Sequence, residues 1–383
     1  MTSLLFLLAL ATLIAHVATA IQVLLGNRSI RALRDLPPLA GPLPRVSIII
    51  PARNEERNLE EALRSILALD YDNLEIDVVD DRSTDRTGEI LDRMATADPR
   101  LRIVHVRELP PGWLGKNHAL WLGAEKATGE FLLFTDADVV MAPSALRRAV
   151  GAMVADRLDH LTAAPEIARP SVLFELFIGA FSLFFTLFIK PWKVKDPESP
   201  SHVGIGAFNL VRAAAYRAAG GHPAIAMRPD DDLKLGKLLK KKGFHQEFVF
   251  GLGMLRVEWY ASVRELIQGL MKNAFSGVDY RVWVVVVSTV MQLITLVWPF
   301  LALLLTTGAT RWLNLASVLV LLTLCWINAP LAGVRRWHGL GFPLATLLFL
   351  YILWRAMVLT LWRDGIDWRG THYPLASLKA NKV

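Results

Sequence analysis

Residues 131–138 read FLLFTDAD, four bulky apolar residues followed at once by a turn with two acids. An apolar run this short is typical of a strand buried on both faces of a sheet. Asp136 and Asp138 therefore fall at the carboxyl end of that strand. In open sheets of parallel strands, ligands bind at this end. The stretch thus predicts a layered α/β fold and the edge of the sheet that carries its site.

The chain upstream of this stretch alternates between strand and helix patterns. Short β-branched or apolar runs alternate with segments whose apolar residues recur at helical spacing, and this repetition predicts a doubly wound sheet. The predicted strands cover residues 46–50, 74–79, 101–106 and 131–134, and the predicted helices cover 58–69, a segment through Ile90 and Leu91, and 117–127.

Composition indicates a soluble middle flanked by membrane segments. Hydrophobic residues make up 53% of the 383 residues, which is high for a soluble protein, and they are concentrated at the two ends. The single cysteine, Cys325, excludes an intrachain disulfide and a cysteine-based zinc site. The formal net charge is +7. Without a compact basic and aromatic motif we expect no nucleic-acid partner, and anionic lipid headgroups are the simpler explanation.

An N-terminal membrane anchor is predicted over residues 1–27. Residues 3–25 are almost wholly apolar, no basic residue precedes them, and the run is too long for the core of a typical signal peptide. We therefore expect a retained anchor. Arg28, Arg31 and Arg34 follow it. Because positive residues stay on the cytoplasmic side, these arginines predict a cytoplasmic middle domain in a multi-pass protein of the cell membrane.

Three further spans are predicted within residues 283–362, at 283–308, 312–331 and 341–362. Three crossings after a cytoplasmic domain would place the tail, 363–383, outside. The arginines and lysines of that tail favour the inside instead. Either the tail is external or one of the three segments is re-entrant or interfacial, and the sequence leaves both alternatives open.

Residues 171–190 form a fourth apolar stretch, interrupted by Glu175. The stretch separates two groups of polar residues that are expected to share one site, and a true span would put those groups on opposite sides of the bilayer. We therefore predict a helix that rests on the membrane surface. The alternative is a helix buried in the core of the domain.

Two carboxylates converge in the turn after the fourth strand. Asp136 and Asp138 offer the oxygen ligands that Mg²⁺ or Mn²⁺ prefers, with phosphate oxygens of a substrate completing the coordination. A solvated loop is the alternative. Their place after a buried strand in an alternating fold favours the metal.

Polar residues also end the first two strands. The first strand runs into Pro51, Arg53, Asn54 and Glu55, and the second ends in the adjacent acids Asp80 and Asp81. Backbone amides and polar side chains at these ends could meet a nucleotide. Helix capping by Asn54, Asp81 and Ser83 is the alternative.

The second half of the domain predicts a site for an acceptor. Residues 202–212, HVGIGAFNLVR, are punctuated by glycines such as Gly206, as expected where a chain passes close to a ligand. His222 comes shortly before residues 229–236, PDDDLKLG. Three consecutive aspartates exceed what the first turn of a helix needs for its dipole.

The motifs IIIPARNEERNLEEALRSILALDY, VVDDRSTDRT and GKNHALWLGAEKATGEFLLFTDAD, in this order, resemble glycosyltransferase family 2. The resemblance covers about residues 44–280. It implies a GT-A-type doubly wound mixed sheet and an inverting, metal-dependent transfer from a nucleotide-sugar, for which UDP is the commonest carrier.

The resemblance also implies roles for individual residues. Asn54, Glu55 and Asp80 would contact the nucleoside, and Lys116 would lie near the diphosphate or the sugar. Asp136 would contact the ribose or sugar side, Asp138 would bind the metal, and Asp232, with Asp231 next in line, would act as the general base. A base of this kind takes the proton of the attacking hydroxyl.

A narrower resemblance concerns the acceptor. The Arg-Trp motif of processive synthases is absent, and the segment 272–275, KNAF, with its Asn273, is similar to that of hopene-associated and carotenoid-type membrane glycosyltransferases. The closing residues 368–373, WRGTHY, are similar as well. These relatives imply a non-processive transfer to a lipid or terpenoid acceptor. A processive polysaccharide synthase and a catalytically inactive membrane scaffold are the alternatives.

Overall fold

The computed structural model describes residues 2–383 and divides into two compact units. The sheet unit contains residues 30–168, 191–259 and 371–383. The helical unit contains the chain up to Ser29 together with residues 169–190 and 260–370. Each unit is built from chain segments that are distant in sequence.

The strands are β1 (Val46–Ala52), β2 (Leu74–Asp81), β3 (Leu101–Val106), β4 (Phe131–Phe134), β5 (Val139–Met141), β6 (His160–Ala164), β7 (Glu166–Ile167), β8 (Asn209–Arg212), β9 (Gln246–Phe250), β10 (Leu255–Val257), β11 (Gly365–Trp368) and β12 (Thr371–Pro374). The α-helices are α1 (Thr2–Asn27), α2 (Leu59–Leu67), α3 (Thr87–Ala97), α4 (Gly115–Lys126), α5 (Ala145–Ala155), α6 (Val172–Ile189), α7 (Ala213–Ala219), α8 (Asp231–Lys241), α9 (Val263–Ala274), α10 (Val282–Gln292), α11 (Trp298–Leu305), α12 (Gly308–Asn328), α13 (Phe342–Trp362) and α14 (Leu375–Ala380).

The sheet unit is organised around a seven-stranded mixed sheet of order β3-β2-β1-β4-β8-β6-β9. Strands β1, β2, β3 and β4 are parallel, whereas β8 is antiparallel to both β4 and β6. The predicted fold class, a doubly wound mixed sheet, is confirmed. A smaller sheet of order β5-β10-β7 follows the turn after β4.

Helices cover both faces of the large sheet, which explains the unbroken apolar runs in its strands. Alternate residues of a strand point to opposite faces. Ile48 and Ile50 of β1 pack in one hydrophobic cluster with residues of α2, α3 and α5, and Ile49 packs in a second cluster with residues of α4, α7 and α8. This layering leaves the carboxyl ends of the strands for polar residues.

The helical unit holds the predicted membrane segments. Five stretches of the described chain are long and apolar enough to cross a membrane: Ser3–Asn27, Val172–Lys193, Val282–Leu305, Gly308–Asn328 and Arg336–Trp362. The third combines α10 and α11 through a π-helical segment, Leu293–Val297. The second corresponds to the stretch predicted to lie on the membrane surface, and its placement stays a prediction.

An ion pair explains the acid within α6. Glu175 is buried and accepts hydrogen bonds from Arg335, from Nε at 2.8 Å and from the backbone amide at 2.5 Å. Both residues belong to the helical unit. A buried carboxylate needs such a partner, so Glu175 serves the packing of this unit.

Candidate active site

Six of the residues predicted from the sequence line one cavity in the sheet unit. They come from the start of α4, the turn after β4, the glycine-rich segment before β8, a 3₁₀ turn at His222–Ile225 and the start of α8: Lys116, Asp136, Gly206, His222, Asp231 and Asp232. Leu120, Phe134, Thr135 and Asn209 complete the lining. Residues that are far apart in sequence thus meet at the edge of the sheet where a ligand was expected.

Lys116 is the cation of this cavity. Its Nζ lies 2.8 Å from Oδ1 of Asp136 and 3.5 Å from Oδ2 of Asp231. Burial lowers the pKa of Lys116, but the charges of Asp136, Asp231 and Asp232 outweigh burial and raise it. Lys116 is therefore a fixed positive charge, suited to a phosphate or to the carboxylates around it.

The three consecutive aspartates have different partners. Asp230 is buried and forms two hydrogen bonds of 3.0 Å with the guanidinium of Arg228. Asp231 faces Lys116. Asp232 is only half-buried, and its two oxygens accept the backbone amides of Gly206 and Leu233, each at 2.7 Å. Asp230 is thus held in a structural ion pair, while Asp231 and Asp232 face the cavity.

Asp232 has the protonation behaviour of a candidate base. Burial raises its pKa, and the positive charge of Lys116 only partly offsets this effect. A raised pKa makes a carboxylate a stronger proton acceptor. The two amides fix the orientation of the carboxylate and leave it further lone pairs for a substrate hydroxyl.

Gly206 lies between two acids of the cavity. Its amide binds Asp232, and its carbonyl accepts the amide of Asp136 at 3.0 Å. A Cβ at this position would lie 2.6 Å from Oδ2 of Asp136. Any side chain at this position, which the sequence predicted to face an acceptor, would have to displace the carboxylate of Asp136.

His222 lines the cavity as a neutral side chain. It is buried, its Nδ1 lies 2.8 Å from the hydroxyl of Tyr216, and its ring packs edge-on against Phe134. Burial, reinforced by the charge of Lys116, lowers the pKa of His222 to about 3. His222 consequently shapes the cavity but carries no charge at neutral pH.

Asp138 lies beside the cavity in a strongly negative environment. Burial, followed by the charges of Asp136 and Glu55, raises the pKa of Asp138 to about 7. A bound cation would relieve this repulsion, so these residues fit a divalent metal. Within residues 2–383, no group of three or more acid, histidine or cysteine side chains forms a full metal site. Ligands from a substrate, such as phosphate oxygens, would complete the coordination.

Hydrogen bonds tie together the ends of β1 and β2. Asn54 has a left-handed backbone with φ 54°, donates its amide to Ser83 Oγ and accepts the amide of Thr84 at Oδ1. Glu55 donates its amide to Thr87 Oγ1 at 2.8 Å. Asn54 therefore shapes this edge of the sheet in addition to any contact with a ligand.

The two adjacent acids at the end of β2 have separate partners. Asp80 is buried and lies 2.9 Å from Nδ1 of His105. Asp81 lies 2.7 Å from Nε of Arg82 and 3.3 Å from Nη1 of Arg53. The cluster of Asp81, Arg53 and Arg82 was not predicted. The available signal was the alternation of side chains along a strand, which places Asp80 and Asp81 on opposite faces and so gives them different partners.

The remaining predicted residues lie outside the cavity lining. Pro51, Arg53, Asn54, Glu55 and Asp80 lie at or just after the ends of β1 and β2, and Asp138 follows β4. Asn273 lies in α9 of the helical unit. Their roles toward a ligand stay predictions.

Asn117 was not predicted from the sequence. This fully buried residue of α4 donates through Nδ2 to the carbonyl oxygens of Ile225, Ala226 and Arg228, at 2.8, 3.1 and 2.9 Å. The side chain thus connects the helix that carries Lys116 with the loop that leads to the aspartates. Its partners are backbone carbonyls, which leave no signature in a sequence.

Comparisons with known proteins relate part of the chain to a known family. Residues 47–214 match the model of the family described as glycosyl transferase family 2. The chain is 26% identical over 236 residues to 4,4'-diaponeurosporenoate glycosyltransferase of Staphylococcus haemolyticus. The match covers 61% of this chain and 61% of that protein. It is 31% identical over 169 residues to beta-monoglucosyldiacylglycerol synthase of Synechocystis, 40% of this chain and 35% of that protein. These matches span less than two thirds of the length of each relative.

A solved structure shares the architecture. The mannosyltransferase PcManGT from Pyrobaculum calidifontis, in complex with GDP-Man and Mn²⁺, superposes with a TM-score of 0.57 at 20% identity, and the match covers 94% of this chain and 99% of that one. This similarity shows the fold. Together with the family match, it shows that this chain carries a glycosyltransferase family 2 domain on a GT-A fold.

Proposed function

We propose that the protein is an inverting, non-processive glycosyltransferase that transfers a sugar from a nucleoside diphosphate sugar to the hydroxyl of a lipid or terpenoid. One observation carries the proposal: Lys116 and the acids Asp136, Asp231 and Asp232 converge on one cavity at the carboxyl edge of the sheet. A cation and a candidate base are thereby held in the same cavity, where a sugar would react.

In the proposed reaction, the acceptor hydroxyl attacks the anomeric carbon and its proton passes to Asp232. The bond between the anomeric carbon and the diphosphate oxygen breaks as the new glycosidic bond forms on the opposite face. The departing nucleoside diphosphate gains negative charge, and the ammonium of Lys116 stabilises it. His222, being neutral, adds no competing charge.

Asp138 would hold a divalent cation, Mg²⁺ or Mn²⁺. When bound, such an ion neutralises charge on the diphosphate. The raised pKa of Asp138 supports this assignment, because a carboxylate crowded by Asp136 and Glu55 is stabilised by a nearby cation.

The lipid acceptor is supported by two kinds of observation. The helical unit carries the apolar segments described above. Two relatives are named for molecules of lipid character, a diaponeurosporenoate and a glucosyldiacylglycerol. An acceptor that is dissolved in the bilayer would explain why the catalytic domain is attached to membrane segments.

The sheet unit would lie on the cytoplasmic side, with α6 along the membrane surface. Strand β6 precedes α6 and β8 follows it, and the two strands are hydrogen-bonded neighbours. Because a bilayer cannot separate two paired strands, both ends of α6 would lie on the same side of the membrane, and α6 would not cross it. Arg28 and Arg34 directly follow α1 and support the cytoplasmic orientation.

A similar argument places both ends of α13 on one side of the membrane. It also bears on whether the tail, residues 363–383, lies inside or outside. Asn27 and Asn328 share a hydrogen bond of 2.6 Å, so α1 and α12 end at the same level. The chain enters the sheet unit after α1 and again after α13. Helix α13 would then begin and end on one side, leaving three crossings: α1, the α10–α11 segment, and α12.

Sugar transfer by the full chain in detergent tests the proposed function. Lipids extracted from a deletion strain serve as acceptors, and labelled UDP-glucose, UDP-galactose and GDP-mannose serve as donors. We expect one sugar per lipid, with turnover lost in Asp138→Asn and in Asp232→Asn but kept in the control Asp70→Asn.

The other outcomes are equally informative. Products with many sugars would indicate a processive synthase. Turnover retained in both site variants would contradict the assigned residues. A wild-type chain that binds no nucleotide-sugar in the presence of metal, measured by calorimetry, would indicate an inactive scaffold.

A further inference from the structure

We propose that residues 371–383 form a positioning strap that holds the loop leading to the base, with Asn381 as its principal contact. The proposal rests on the function above, because it assigns a role toward Asp232. The strap comprises β12 and α14 and belongs to the sheet unit. The loop comprises residues 224–228.

Asn381 binds the backbone of the loop in both directions. Its Oδ1 accepts the amide of Met227 at 2.9 Å, and its Nδ2 donates to the carbonyl of Ala224 at 3.0 Å. An asparagine amide used in this way replaces the backbone partner that a neighbouring strand would supply. The loop, which begins within the 3₁₀ turn His222–Ile225, thereby gains a fixed position.

The loop is held on its other side by α4. Asn117 binds three of its carbonyl oxygens, and the amide of Leu114 donates to Ala226 at 2.9 Å. The loop is thus clamped between the strap and the helix start that carries Lys116. Loss of either clamp would leave backbone polar groups without partners and would loosen the loop.

The position of the loop affects the position of the aspartates, because the two are directly connected. Arg228, its last residue, pairs with Asp230, which adjoins Asp231 and Asp232 at the start of α8. The strap also reaches α8 itself, because Lys237 Nζ donates to the carbonyl of Val383 at 2.7 Å. A shift of the loop would therefore move the carboxylate of Asp232.

The first part of the strap contacts a different part of the site. The amide of Gly115 lies 3.4 Å from the hydroxyl of the buried Tyr373, and Tyr373 also interacts with Arg82, the partner of Asp81. Leu375 and Leu378 are buried between the two ends of the strap. One segment thus contacts both the edge predicted to bind the nucleotide and the loop before the base.

These contacts give the two polar residues different expected effects. Asn381 is a positioning residue for Asp232 and should affect the chemical step. Tyr373 is a positioning residue for Gly115 and Arg82 and should affect binding of the donor. The closing motif noted in the sequence, residues 368–373, gains a function through its last residue.

The test compares Asn381→Ala with Lys382→Ala, whose side chain is exposed on the same strap. We expect Asn381→Ala to lower kcat about tenfold or more, with the KM for the nucleotide-sugar unchanged. In hydrogen exchange on the full chain in detergent, amides of residues 224–232 should exchange faster in Asn381→Ala only. Tyr373→Phe should raise the KM for the donor and leave this exchange unchanged.

Exchange and kcat of Asn381→Ala equal to those of Lys382→Ala would overturn the proposal. Faster exchange at an unchanged kcat would overturn the positioning role toward Asp232. Hydrogen exchange does not depend on turnover. A wild-type chain that transfers no sugar would therefore contradict the proposed function, while the exchange data would still decide whether the strap holds the loop.

Discussion

The amide of Gly206 donates a hydrogen bond of 2.7 Å to the carboxylate of Asp232, while the same residue leaves no room for a Cβ beside Asp136. One backbone position therefore contacts two acids of the cavity, Asp136 in the turn after β4 and Asp232 at the start of α8. The positions of these two carboxylates matter because a small displacement of reacting groups lowers the rate of a reaction.

Substitution of Gly206 by alanine should displace Asp136 and reduce transfer. A displacement of about 1 Å is expected to lower kcat roughly 100-fold. Gly277→Ala is the matched control, because a Cβ there meets no atom within 4 Å. Equal rates for the two variants, at equal yields of folded protein, would show that the crowding at Gly206 is unimportant.

Substitution of Asp230 by asparagine should reduce stability, because it removes the negative charge that pairs with the buried guanidinium of Arg228 and the buried ammonium of Lys234. Breaking a buried pair costs about 3 kcal/mol or more. The exposed pair of Asp70 with Arg147 provides the control, and Asp70→Asn should cost about 1 kcal/mol or less. Thermal unfolding in detergent would measure both, and equal values of Tm would contradict the structural role of Asp230.

His105 should make the stability of the sheet unit depend on pH. Hydrogen bonds with Asp80 and Asp92 raise its pKa above the value in the unfolded chain. The stabilisation is therefore complete below the unfolded pKa of about 6.5 and is lost as pH rises through the higher folded pKa. Between pH 5.5 and 8.5, Tm should fall more for the wild type than for His105→Gln, and parallel profiles would contradict this.

The proposed topology predicts which loops can be labelled from outside the cell. The native cysteine, Cys325, is buried and is first replaced by alanine. An impermeant maleimide should label Thr307→Cys in intact cells, because this residue joins α11 to α12 on the far side. Asp364→Cys, after α13, should react only in permeabilised cells. Labelling of Asp364→Cys in intact cells would mean that α13 crosses the bilayer.

The sequence predicted the half of the sheet whose strands are continuous apolar runs. Strands β3 and β4 have the predicted bounds, and β1 and β2 extend two residues further than expected. Strand β8 was not predicted, because its four residues are flanked by glycines and a helix and show no periodic pattern of their own. Its antiparallel insertion between β4 and β6 depends on pairing with strands distant in the chain.

The residues of the site also fall into those that could be predicted from the sequence and those that could not. Charged residues at strand ends, such as Lys116, Asp136 and Asp232, could be predicted because their chemistry is visible in their side chains. Asn117 and Asn381 could not, because their partners are backbone carbonyls and amides, which have no signature in a sequence. The interaction of Arg53 with Asp81 likewise required the geometry of the sheet edge.

The position of β8 also sets an order of events during synthesis. Strands β4 and β6 become neighbours of a common strand only when β8 inserts between them, and β8 follows α6 in the chain. A ribosome therefore releases the long apolar helix before the centre of the sheet can close. The nascent catalytic domain must complete its folding after this helix has emerged and found an apolar environment.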